Sequence, residues 1–213
     1  MFPVVTVLGT KRAAVRLSTA AACLVVLLGA SACTGPQQTP VAGAAALVGT
    51  YRIADNHLAE QVGELMSSGQ RSAGTKDPFA PQIVLQNDII IHLMDVLAAE
   101  QGVTATQGEI DAQVLQYEQD VQGRAALEEV FVKMNVPPSQ IEPWVRANVL
   151  GKKLSLKLAP DQPIEQGQAA LQAALAEVSA RLGTQVSPRY GAWDAKSITI
   201  VEAPNRLSTP LNP

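Results

Sequence analysis

The stretch PQIVLQNDIIIHLMDVLAAEQ, residues 81–101, decides how this chain folds. Ile83, Leu85, Ile89, Ile90, Ile91, Leu93, Met94, Val96 and Leu97 cover most of a helical circumference. A helix that is apolar nearly all round is stable in water only when other elements surround it. The sequence therefore predicts a helical fold built around 81–101, closed by Gly102.

Working outward, every neighbouring segment carries a helical period. Asp55 or Asn56 can cap a helix in which Leu58, Val62, Leu65 and Met66 form the inner stripe. Residues 67–80 read as a polar loop. Thr106 and Glu109 form a capping-box pattern ahead of Ile110, Val114, Tyr117 and Val121. Leu127, Val130, Phe131 and Met134 share a face of a short helix. Ser139 and Glu142 repeat the capping-box pattern before Ile141, Trp144, Ala147, Leu150, Leu154 and Leu158, with Arg146, Lys152, Lys153 and Lys157 facing out. A last helix over 164–182 aligns Leu171, Ala174, Leu175, Val178 and Leu182.

Extended segments sit at the two ends. Residues 47–53 alternate as one short half-buried strand, and 184–190 and 197–202 are extended. A lone strand leaves backbone groups unpaired, so the C-terminal strands are expected to return and pair with 47–53. The predicted class is mostly α with a small terminal β-element.

The first 33 residues give an address. Lys11, Arg12 and Arg16 precede an apolar run over 17–30, which ends in small residues before Cys33. That order describes a secretory signal. The run is about 14 residues, short of the roughly 20 a membrane span needs. A retained signal anchor and an ordinary secreted protein are the alternatives. Ala30-Ser31-Ala32-Cys33 resembles a bacterial lipobox, which implies lipidation of the Cys33 sulfur, cleavage after Ala32, and an anchor on the extracytoplasmic membrane face. Residues 1–32 are then the signal, 33–46 a flexible tether of roughly 20 Å mean reach, 47–202 the folded domain and 203–213 a tail. Met1 to the basic segment is unusually apolar, which leaves the start codon open.

Composition excludes several functions. Cys23 lies in the signal, so the mature chain holds one cysteine and neither a disulfide nor a cysteine zinc site. Without the three basic signal residues, 13 basic face 19 acidic, a net charge of −6. Such a chain lacks the basic surface that nucleic-acid binding requires. There is no nucleophile elbow, zinc-protease motif or phosphate-cradling loop. Asp88, His92 and Asp95 can share one helix face, a spacing that serves a metal or acid–base site but more commonly a structural polar stripe. His57 has no evident partner in sequence. The Lys152–Lys153 pair and Lys157 read as a solvated face, with anionic lipid contact the alternative.

The order of segments carries a family resemblance. LVGTYRIADNHLAEQV (47–62), AAEQGVTATQGEIDAQV (98–114), LEEVFVKMNVPPSQIEPWVRANVLGKKL (127–154) and VSPRYGAWD (186–194) resemble the N-terminal domain of the SurA and PrsA family of extracytoplasmic folding factors. The resemblance implies a domain that holds unfolded exported chains on apolar helical surfaces. Many relatives insert a parvulin prolyl-isomerase domain before the C-terminal return. Here 158–188 has room for one helix, and neither His57 nor His92 lies there. The expectation is a lipid-anchored, non-enzymatic chaperone-like protein without cofactor or metal, whose partners are unfolded exported polypeptides. Candidate client contacts are Met66, Phe79, Ile83, Met94, Phe131, Met134 and Trp144, side chains that suit promiscuous binding when exposed and core when not. A scaffold lipoprotein with one dedicated partner, and a prolyl isomerase with an unfamiliar site, are the alternative functions.

Overall fold

The computed structural model describes residues 42–70 and 78–203, with side chains of 69 and 70 excepted. Cys33, the signal, most of the tether and nearly all of the tail lie outside the described residues. Among the described residues, six α-helices and five short strands follow in the order β1 (Ala44–Val48), β2 (Tyr51–Ala54), α1 (Asp55–Gln70), α2 (Ala80–Glu100), α3 (Gln107–Asp120), α4 (Arg124–Lys133), α5 (Ile141–Leu158), α6 (Ile164–Leu182), β3 (Gln185–Val186), β4 (Ala192–Asp194) and β5 (Thr199–Val201). The protein is mostly helical with a small antiparallel β-element, as the sequence predicts.

α2 is the axis. Among the described residues it is the helix long and apolar enough to span a membrane by length and composition. It is packed instead against α1, α5, α6, β1 and β5. Val84, Leu85, Ile89, Leu93 and Leu97 are buried in a main core with Leu58, Leu65, Leu150, Leu154, Leu175 and Val178. A second core joins Ile110, Leu127, Phe131, Val136, Ile141 and Val145. α5 feeds both, with Val145 on one side and Leu154 on the other.

The β-element corrects two expectations. Residues 47–53 are not one strand. Gly49, with φ +61°, begins a tight turn between β1 and β2, in which Val48 faces Tyr51. A glycine there gives the turn the positive φ that two-residue hairpins need. The expected tether also ends too late. Ala44, Ala45 and Ala46 belong to β1 and are essentially inaccessible. A run of alanines looks like spacer in sequence. In the fold the same small side chains let β1 lie close under α2.

The C-terminal return is divided. β3 pairs antiparallel with β1 through Ala46–Val186 and Leu47–Gln185. β5 does not join that sheet, contrary to expectation. It pairs with β4, Trp193 opposite Ile200, as a separate hairpin. Its outer edge is covered, because the Ile200 N–H donates to Gln86 Oε1 of α2 at 2.9 Å.

The helix ends follow the sequence at one capping box and depart from it at the other. Thr106 accepts from the Glu109 N–H at 3.3 Å, and Glu109 Oε2 accepts from the Thr106 N–H at 2.8 Å. Ser139 and Glu142 form no such box. Ser139 sits in a 3₁₀ turn (Pro138–Gln140) and gives its N–H to Glu64 of α1 at 2.9 Å, while Glu142 accepts from Gln107 at 3.0 Å. The cap comes from a helix 75 residues away, a distance at which sequence spacing is silent.

Candidate functional site

The polar stripe of α2 is distributed among three neighbours. Asp88 accepts from Gln61 of α1 at 3.3 Å. His92 stacks on Tyr51 of β2, with ring centroids 3.9 Å apart and planes within 14°. Asp95 pairs with Arg146 of α5 at 2.6 Å. Burial pushes the His92 pKa down against the opposing pull of Asp95, which favours the neutral ring. Burial lifts Asp88 to about 6, against the Gln61 hydrogen bond and the His57 charge. One helix face thus knits α1, β2 and α5 to the central helix, and the described residues contain no cluster of three metal-ligating side chains.

The lysines of α5 are also engaged. Lys153 pairs with Glu109 at 2.5 Å and donates to the Thr104 carbonyl at 2.8 Å. Lys157 donates to the Gln101 carbonyl at the end of α2. Lys152 reaches Gln113 at 2.8 Å. Cations near the C-terminus of a helix satisfy its last carbonyls and its dipole. The row read as a solvated face holds the turn between α2 and α3.

The structure divides the candidate client contacts. Met94 and Phe131 are buried, in the main and second cores respectively. Met66 and Ile83 are half-buried, Met66 against the main core. Trp144 is half-buried edge-on to Phe131, centroids 5.0 Å apart. The buried pair is therefore corrected from contact to core. Phe79 at 61% and Met134 at 48% exposure remain on the surface. Met134 lies one helical turn from exposed Val130, so the face of α4 that sequence periodicity assigns to the core is only half covered.

A groove that sequence reasoning did not single out lies between α2, α6 and the turn from β4 to β5. Its volume is about 340 Å³. Ile90, Leu171, Leu175 and Ile198 supply apolar surface; Gln86, Gln168, Gln172, Ser197 and Thr199 supply uncharged polar groups. Among the described residues, no charged side chain lines it. Gln168, Leu171, Gln172 and Leu175 fall at the 3-4 spacing of one face of α6, so the stripe was visible in sequence. What lies opposite it was not.

The groove wall from the hairpin is held with some strain. Ile198 has φ +56°, a region that β-branched residues rarely enter, yet its side chain is buried. Asp194 secures the turn by accepting from Ser197 Oγ at 2.6 Å and from the Lys196 N–H at 3.0 Å. These bonds, Ser197 first, hold the Asp194 carboxyl below its ordinary range. Trp193 anchors the hairpin from the other side, its Nε1 donating to Ser179 Oγ of α6 at 2.7 Å.

Comparison of the chain with models of known protein families, with curated proteins and with solved structures finds no match to any of them.

Proposed function

We propose that this protein is a lipid-anchored, extracytoplasmic, non-enzymatic chaperone that shields extended, uncharged apolar segments of unfolded exported polypeptides. The observation that carries this reading is the charge-free groove between α2 and α6. Its apolar floor takes hydrocarbon side chains, and its glutamines offer both donors and acceptors to a peptide backbone. A charged segment would leave its ions there without partners, which is costly. The groove thus matches polypeptide that is apolar and neutral, in a sequence-tolerant way. The resemblance to SurA-type domains and the lipobox-like Cys33 support the same reading from the sequence. Acylation supplies about 0.8 kcal/mol per buried CH2. Tethering would raise the protein's effective concentration near emerging chains and so compensate for weak individual contacts.

The test is suppression of aggregation of a reduced, unfolded client by a soluble chain beginning at Thr34, which keeps every residue of β1. Substoichiometric to equimolar protein is expected to delay light scattering without ATP. No effect at several-fold molar excess would remove the reading. Recovery of a single stoichiometric partner from envelope extract, in place of many denatured chains, would favour a dedicated scaffold.

A further inference from the structure

Gln61 is a polar residue on α1, 3% exposed, where that helix packs against α2. Its amide is only half satisfied. Nε2 donates to Asp88 Oδ1 at 3.3 Å, whereas Oε1 is buried and meets no donor among the described residues. An amide oxygen shut away from water with no donor has lost its hydration for nothing. The neighbour on the far side of the pair cannot help while ionised, because a carboxylate only accepts. A protonated carboxyl carries an O–H donor as well as an acceptor, the complement of an amide.

We propose that Asp88 and Gln61 form a proton-operated clasp between α1 and α2, in which one proton taken up by Asp88 converts a single hydrogen bond into a reciprocal acid–amide pair. The proton comes from solvent and binds the carboxylate oxygen Oδ2. The new O–H donates to Gln61 Oε1, the existing Nε2–H to Oδ1 bond stays, and no other bond forms or breaks. The charge of Asp88 disappears from the helix contact as the orphaned oxygen gains its donor.

The surroundings bring this state within reach of mildly acidic pH. Burial is the largest influence on Asp88 and raises its pKa to about 6; Gln61 and the charge of His57 on α1 act in the opposite direction. Tyr51 of β2 feels both Asp88 and Asp95, which raise its pKa further after burial. On α2 itself, His92 is stacked on Tyr51 and Asp95 is paired with Arg146 of α5. No charged group of α5, α6, β1 or β5 is among the influences on Asp88. Since the folded pKa lies above the unfolded one, the clasp contributes fully below about pH 4 and its contribution is lost as pH rises through about 6. Two pH units of separation correspond to a change on the order of 100-fold in the folding equilibrium constant.

The test is a titration of the full chain in detergent micelles between pH 4 and 8, followed by carbon and nitrogen NMR. The Asp88 Cγ resonance is expected to move with a midpoint near 6, and the Gln61 Cδ and Nε2 resonances to move with the same midpoint. A midpoint near 4, or a Gln61 side chain that stays still while Asp88 titrates, would overturn the proposal. D88N places a permanent N–H donor opposite Gln61 Oε1. It is expected to abolish the acid-dependent rise, of order 100-fold, in the folding constant. Retention of the full rise in D88N would likewise overturn it. The resonance titration uses the unmodified protein, so it decides for or against the clasp even if D88N fails to fold.

Discussion

The hydroxyl of Tyr190 donates to the carboxylate of Asp55 at 3.2 Å across 135 residues of chain. Arg189 meets the same oxygen at 2.5 Å and lies over the Tyr190 ring, 4.9 Å from its centre. Asp55 is the first residue of α1, where a negative charge is favourable to the helix dipole. The segment after β3 therefore ties the end of the fold to the start of its first helix.

Tyr190→Phe is expected to cost about 0.5–1.5 kcal/mol, the net worth of one hydrogen bond. Asp55→Ala removes the acceptor from both partners and the favourable charge from the helix start, and is expected to cost more. Urea unfolding of the two variants measures the order. Equal losses would show that Asp55 is not shared.

Glu109 is held well below the ordinary carboxylate range, at about 2, by Lys153 first and by the Thr106 backbone and hydroxyl next. A depressed folded pKa stabilises above the unfolded value and is lost as pH falls through the folded one. The junction of α3 and α5 is thus expected to loosen only as pH drops from about 4 toward 2. In Lys153→Met the Glu109 carboxyl should titrate nearer its ordinary position, a shift that carboxyl-carbon NMR reads directly. An unmoved titration would assign the depression to the Thr106 cap alone.

Two buried glycines are expected to respond oppositely to alanine. At Gly151, in the middle of α5, an added Cβ would meet Met94 Cε at 3.5 Å and Leu171 Cδ2 at 3.6 Å, ordinary contact. Alanine gains up to about 1 kcal/mol of helix propensity there, so Gly151→Ala should raise the melting temperature. Gly191 has φ +125°, and its Cβ would run into the Val201 carbonyl and the Ile200 side chain. Gly191→Ala should cost about 1–3 kcal/mol or more. Thermal unfolding of both variants settles the contrast.

Gln168 and Gln172 are exposed on the rim of the neutral groove. Replacing both with glutamate adds charge without disturbing a buried group. Client protection is expected to fall several-fold while the melting temperature stays within about 2 °C, since surface changes of this kind usually cost under 0.5 kcal/mol. Undiminished protection would move the client surface elsewhere, to exposed apolar side chains such as Phe79, Leu156, Ile164 or the Val130–Met134 face of α4.

Cys33→Ser removes the sulfur that the proposed acylation requires. The variant is expected to shift from the membrane fraction to the soluble one on cell fractionation. Continued firm membrane association would contradict the lipid anchor.

The groove was half legible. The row Gln168, Leu171, Gln172, Leu175 has helical spacing, but Ile198 and Thr199 reach the groove only because the hairpin folds back over α2. The clasp was equally hidden. Gln61 falls in the apolar stripe of Leu58, Val62 and Leu65, which makes it a polar residue on an inward face; nothing local shows that Asp88 receives it. Among the candidate contacts, Met94 and Phe131 have the same composition-level appearance as Phe79 and Met134. Burial separates them, and burial is a property of the neighbours.

The sequence by itself determined the helical segments, the cap at Thr106, the stop at Gly102 and the central place of α2, because hydrophobic period and local hydrogen bonding act over a few residues. Tertiary structure alone decided that three alanines form an inner strand, that β5 pairs with β4 while β3 takes β1, and that Glu64 caps Ser139. Each of these depends on which distant surfaces meet. That choice is made by the shape of the assembled core, and no short stretch of chain contains it.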